Sequence, residues 1–200
     1  MLLHAIMPAS RANGPGLRCV VFVQGCDLRC PGCWNVRSHP FRGTELAIEV
    51  ILSELVSCYN QYSLDGVTLS GGEPMQQADE LAELLQGLRS ALPTLSFGMF
   101  TGYSEAELDT ARYFTRHGVD RKRRQTLWRL IRSNLDFAAM GRYNRLQPSD
   151  APMCSSGNQA LRLFSARHTK IDFGVQTVEI TIAADGSTRT TGFPTLGNPA

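Results

Sequence analysis

No run of about 18 apolar residues occurs in the 200-residue chain, so nothing in it reads as a membrane-spanning helix. The opening Met1-Leu2-Leu3-His4 lacks the basic start and long apolar stretch of a secretory leader, and a cytoplasmic protein is expected. An excess of charge is missing too. Twenty Lys and Arg against 18 Asp and Glu leave a formal +2, which gives no whole-chain argument for binding nucleic acid or a membrane. Internal repeats and low-complexity segments are absent, and no second Cys or His doublet accompanies the cysteines discussed below. What is present, 42% hydrophobic residues, suits one globular domain with a full core. Six cysteines in a cytosolic chain of this length point to metal chemistry or free thiols rather than disulfides.

Three of the six stand together in Cys26-Asp27-Leu28-Arg29-Cys30-Pro31-Gly32-Cys33-Trp34-Asn35, at spacings of four and three. A 4Fe-4S cluster normally takes four Cys ligands, so three from one tight loop would leave one iron free for a ligand that is not protein. A zinc knuckle or a chance group of buried thiols is the alternative. Zinc sites usually pair two separated doublets, and this sequence has only the one group. Cys19, Cys58 and Cys154 are too scattered for a second motif and read as small buried residues.

Ser70-Gly71-Gly72-Glu73-Pro74 follows directly on the apolar run Gly66-Val67-Thr68-Leu69-Ser70. Alone it is an ordinary strand-to-helix turn. Taken with the cysteine triplet it resembles the radical S-adenosylmethionine (SAM) superfamily. That resemblance implies a 4Fe-4S cluster on Cys26, Cys30 and Cys33, with SAM bound through its amino group at Gly71, Gly72, Glu73 and Pro74. Glycines suit this task because backbone carbonyls can then approach an ammonium group that side chains would block. It also implies reductive cleavage of SAM to a 5′-deoxyadenosyl radical, which removes a hydrogen atom from a substrate. Asn13-Gly14-Pro15-Gly16-Leu17-Arg18 and Cys30-Pro31-Gly32-Cys33-Trp34-Asn35 narrow the likeness to activators of glycyl-radical enzymes, most nearly those of anaerobic ribonucleotide reductase. The partner implied is such a glycyl-radical enzyme, with a reduced flavodoxin or ferredoxin type electron donor. Gly32 departs from the wider superfamily, which often has an aromatic residue there. Trp34 reads equally as a shield for the cluster or as a core aromatic.

Along the chain, Ser10 to Gly16 is turn-rich and Leu17 to Val23 is a strand leading into the cysteine loop. Thr44 to Tyr59 is expected as a helix capped by Thr44, with Leu46, Val50, Ile51 and Leu55 on its apolar face. Asp79 to Leu88 repeats leucine at helical spacing, and Leu95 to Phe100 is the next strand. It ends in Thr101-Gly102-Tyr103, an element the family carries near the SAM ribose, which makes Thr101 and Gly102 candidate SAM contacts. Ser104-Glu105-Ala106-Glu107 is a capping box for the following helix. Arg121 to Asn134 is a basic helix, read either as a solvated face or as a docking surface for an acidic partner. Leu135 to Met140 is a strand before Gly141-Arg142-Tyr143; relatives often have Asp where Met140 stands, so no acidic ligand is carried over. Asn158, in Asn158-Gln159, resembles a SAM contact of the reductase activators, with loop capping as the other reading. Val178 to Ile182 and Thr188 to Thr191 form a hairpin about the turn Ala184 to Ser187, and Thr195 to Ala200 is a frayed tail.

Helices between strands imply parallel pairing with right-handed crossovers, and motifs at successive strand C-termini imply one shared mouth. The expected fold is α/β: by the resemblance, a partial (β/α) barrel of the radical SAM type, with a C-terminal β-hairpin. A single domain spans 1–200, its core about 13–165 and its hairpin about 177–192. A full barrel needs about 250 residues, so an open side is expected that admits a large substrate. A small radical SAM enzyme acting on a peptide or small molecule, and a non-catalytic iron–sulfur or zinc protein, remain the other readings.

Overall fold

The computed structural model describes residues 1–182 and 185–193. A six-stranded sheet runs in sequential order: β1 (Leu3–Ser10), β2 (Arg18–Val23), β3 (Gly66–Gly71), β4 (Ser96–Thr101), β5 (Phe137–Met140) and β6 (Ala160–Leu163). The four central strands pair in parallel, and the two edge strands are antiparallel to their neighbours. Each parallel step carries helix: α1 (Ile48–Tyr62), α2 (Ala78–Ala91), then α3 (Glu105–Asp109) with α4 (Arg121–Asn134). No helix separates β5 from β6, and an antiparallel neighbour requires no crossover. Among the described residues no helix is long and apolar enough to cross a membrane.

Alternation along the strands divides the interior. Cys19, Val21, Val67, Leu69, Phe97, Met99 and Ala138 are buried in one cluster with Ile51 and Leu55 of α1, Leu81, Leu84, Leu85 and Leu88 of α2, and Leu127 and Ile131 of α4. The helices therefore share one face of the sheet. On the other face Phe137 packs with Met153, Phe173 and Phe193 in a smaller core, beneath the separate ribbon of β7 (Val178–Ile182) and β8 (Thr188–Gly192). Part of the expected Ala184 to Ser187 turn, and the tail from Thr195, lie outside the described residues. Cys19, Cys58 and Cys154 are buried, as expected.

Three local expectations change. The helix starts at Ile48 with Ala47 as its N-cap, not at Thr44, because Glu45 bridges to Leu2 and the Leu46 N–H donates to the Met1 carbonyl at 2.9 Å. The inward stripe is consequently Ile48, Ile51, Leu55 and Cys58, and Val50 is exposed. Strand β1 was not expected from the sequence: Pro8 interrupts its pattern and falls where the pairing register shifts, a position tolerated at a sheet edge. The capping box is present, with Ser104 accepting from the Glu107 N–H and Glu107 accepting from the Ser104 N–H.

Arg18 explains the Asn-Gly-Pro-Gly-Leu-Arg segment. Its guanidinium is fully buried and donates to Thr68 Oγ1 (2.7 Å) and to the carbonyls of Pro15, Val67 and Ser96, so it ties the starts of β2, β3 and β4 together. Burial pulls its pKa down to about 9. The buried Asn13 amide donates to Ser10 Oγ and to Thr191 Oγ1 (2.9 Å), fastening β8 across the open face of the sheet.

Candidate functional site

Strands β2, β3 and β4 end side by side, and the three sequence motifs leave from those ends. Backbone hydrogen bonds join the first two directly. The Gly72 N–H donates to the Val23 carbonyl (2.8 Å) and the Glu73 N–H to the Gly25 carbonyl (2.9 Å), one residue before Cys26. A Cβ on Gly72 would lie 2.3 Å from the Gly25 oxygen. Gly71, at φ +100°, would place one 2.5 Å from the Val23 nitrogen. The glycines are thus required by the approach of the turn to the cysteine loop as well as by any ligand.

Further contacts set the loop. Gly25 and Cys26 donate their N–H groups to the carbonyls of Ser38 (2.7 Å) and His39 (2.9 Å). Gln76 accepts from the Asp27 N–H (3.0 Å) and donates to the Asp27 carboxylate and the Tyr103 hydroxyl. Gln77 donates to the Gln24 carbonyl, whose own side chain reaches the Pro40 carbonyl. Leu28 packs down on Gly102, where a Cβ would meet it at 2.4 Å.

Glu73 is buried, and its carboxylate serves this frame. It accepts from the Met75 N–H (2.9 Å), Thr101 Oγ1 (2.7 Å) and the Gly102 N–H (2.6 Å), joining the turn after β3 to the turn after β4. Burial pushes its pKa up to about 7 against these hydrogen bonds. What the turn can offer a ligand is therefore mainly backbone.

The motifs open on a cavity of about 310 Å³. Its wall includes Cys26, Cys30 and Cys33 on one side, Gly71, Gly72, Glu73, Thr101 and Gly102 on another, and the aromatic rings of Phe22, Phe100 and Tyr143. Thr190 to Phe193 close it from the β8 side. All three thiols are half-buried. Burial raises Cys33 and, with the nearby Glu73 charge, raises Cys26 to about 11, so ligation must displace protons. Trp34 stands exposed at the rim, 5.4 Å from the Tyr143 ring, which overturns its reading as a core aromatic.

Two expected contacts lie elsewhere. Pro74 is buried as the first residue of a short 3-10 turn and is not part of the cavity wall. Asn158 is exposed, off the wall, and caps the loop by donating to the Arg142 carbonyl (2.8 Å). Sequence reasoning missed His39. It lines the cavity, and its Nε2 is buried with no hydrogen-bond partner among the described residues. Its one sequence signal is a histidine six residues beyond Cys33.

A family profile described as a 4Fe-4S single cluster domain matches residues 12–162. The anaerobic ribonucleoside-triphosphate reductase-activating protein of Escherichia coli (strain K12) is 31% identical over 115 residues, 56% of this chain and 75% of the relative. That of Vibrio cholerae is 36% identical over 115 residues, covering 54% and 73%. The pyruvate formate-lyase-activating enzyme of Clostridium pasteurianum is 37% identical over 115 residues, 52% of this chain and 46% of the relative. The chain belongs to the radical SAM activating proteins of glycyl-radical enzymes. The residues present suit the cofactors of such an activating protein: three thiols of one loop at a cavity wall, a backbone-lined turn beside them, and a buried imidazole nitrogen without a partner among the described residues.

Proposed function

We propose that the protein cleaves SAM reductively and uses the resulting 5′-deoxyadenosyl radical to make a glycyl radical on a partner enzyme, anaerobic ribonucleoside-triphosphate reductase. The observation that carries this reading is the convergence of the cysteine loop, the Gly-Gly-Glu turn and the Thr-Gly turn on one cavity, hydrogen-bonded to one another. When bound, the cluster supplies the electron for cleavage. Cys26, Cys30 and Cys33 would hold it. The backbone of Gly71, Gly72 and Glu73, with Thr101, Gly102 and His39 Nε2, orients SAM, and the Glu73 carboxylate positions both turns. Phe22 and Phe100 make part of the same cavity wall apolar.

Residues 1–200 are assigned to one domain, with a core about 13–165 and the ribbon about 177–192. Sequential strand order, helices confined to one face and a cavity on the other support a partial (β/α) barrel. A reduced flavodoxin or ferredoxin completes the system in the cytoplasm.

Anaerobic reconstitution tests the reading. About four irons and four sulfides per chain are expected. With SAM, reductant and the reductase, 5′-deoxyadenosine and an electron paramagnetic resonance doublet on the partner should appear together. Cys26→Ser, Cys30→Ser or Cys33→Ser should abolish both, and Cys58→Ser should not. Stoichiometric zinc without sulfide would refute the reading; SAM cleavage with no radical on any glycyl-radical enzyme would replace the activase with an enzyme for a peptide or small molecule.

A further inference from the structure

Behind the cysteine loop, on the side away from the cavity, lies an open groove of about 820 Å³. Asp27 and Leu28 form one wall, and Leu28 also lines the cavity, so this short piece of loop is the partition between the two. The groove is basic. Arg112, Arg121 and Arg124 line it, and among the described residues none of the three is paired with a carboxylate. Arg112 reaches only the Thr110 hydroxyl, and Arg124 donates to the carbonyls of Ala111 (3.0 Å) and Val119 (2.7 Å). Asp27, the acid in the lining, is held by Gln76. Other arginines on or near α4 are neutralised: Arg123 by Asp79, Arg116 by Glu45 and Glu80, Arg132 by Glu105 and Asp109. The basic character of α4 is therefore not a uniformly solvated face. Lys122 and Arg129 also lack a carboxylate partner among the described residues, but of this helix only Arg121 and Arg124 line the groove, where Phe114, 45% exposed, adds an aromatic edge.

We propose that this groove docks an acidic one-electron carrier protein, which reduces the cluster through the Asp27–Leu28 segment. The proposal rests on the functional reading above and deepens it. The carrier loses one electron and the bound 4Fe-4S group gains it, with no bond made or broken. Charge complementarity selects the occupant: uncompensated arginines beside an aromatic edge suit an acidic surface, and rim charges act mainly on encounter. Position decides between possible acidic partners. A protein whose glycine must reach the radical has to enter the cavity, whereas an electron need only cross the loop, so the groove on the far side of Leu28 serves the carrier. Two proteins can then be engaged without displacing each other.

The test uses Arg112→Glu/Arg121→Glu and the milder Arg112→Gln/Arg121→Gln in the reconstituted protein, with flavodoxin as the probe. Flavodoxin binding should weaken at least tenfold in the Glu variant and less in the Gln variant. Wild-type binding should weaken between 50 and 200 mM salt, since exposed charges are screened beyond about 10 Å at 0.1 M. Flavodoxin-supported formation of 5′-deoxyadenosine should fall with binding, while the dithionite-supported rate stays within twofold of wild type. Unchanged flavodoxin binding in both variants would overturn the proposal. So would lost reductase activation under dithionite with flavodoxin binding intact, which would assign the groove to the reductase. If wild type with dithionite yields no 5′-deoxyadenosine, the functional reading fails, and the binding measurement still judges the groove.

Discussion

A methyl group at residue 72 should cost the protein its cluster before it costs SAM affinity. From the motif alone, Gly72→Val would block a ligand and spare the iron; the packing argues otherwise. The added Cβ would sit 2.3 Å from the Gly25 oxygen, 2.9 Å from its carbonyl carbon and 3.1 Å from its nitrogen. These are backbone atoms, with no side chain to swing aside. Relief requires the turn and the cysteine loop to separate by at least about 0.7 Å, an overpacking strain of about 1–3 kcal/mol. The movement also stretches the bonds from Gly72 N–H to Val23 and from Glu73 N–H to Gly25, each worth about 1 kcal/mol. A total near 3 kcal/mol lowers the population of the closed loop roughly a hundredfold. Gly72→Ala should therefore bind substoichiometric iron after reconstitution and lose its cluster faster to a chelator. Gly174→Ala, whose Cβ meets nothing within 4 Å, is the control and should behave as wild type. Full iron content with weakened SAM binding in Gly72→Ala would refute the reasoning.

Glu73→Gln should flatten the pH dependence of stability. A carboxyl whose folded pKa is raised to about 7 adds stability that is complete below its unfolded value and is lost as pH rises to 7, roughly 3 kcal/mol over that window. Thermal unfolding of wild type and variant between pH 5 and 8 checks this, and parallel curves would refute it. His39→Ala should weaken SAM binding about tenfold, the cost of one lost hydrogen bond to a buried group, with iron content unchanged. Asn158→Ala should leave SAM affinity within about threefold, and a larger loss would return Asn158 to the ligand set.

What could be read from the sequence was what is encoded locally. The leucine repeat of α2, the Ser104–Glu107 capping box and the bounds of α4 each depend on residues a few positions apart, and each stands as expected. What escaped depends on distant partners. The start of α1 is set by Leu2 and Met1, the ribbon is fastened through Asn13 to Thr191, and His39 carries no pattern of its own. Arg121, Arg123 and Arg124 looked equivalent in one basic run, yet Arg123 pairs with Asp79 while the other two face the groove. The Gly-Gly-Glu turn carries a task that its motif does not display. Its Glu is a SAM contact by the family resemblance; in the fold its carboxylate accepts hydrogen bonds from Met75, Thr101 and Gly102. Its neighbour Gly72 is held against Gly25. The two motifs that suggested two binding functions are one hydrogen-bonded object, so substitutions in either will register on both the iron and the SAM sides. Separating the functions requires side chains that face the cavity without joining the frame, and the His39 imidazole is one.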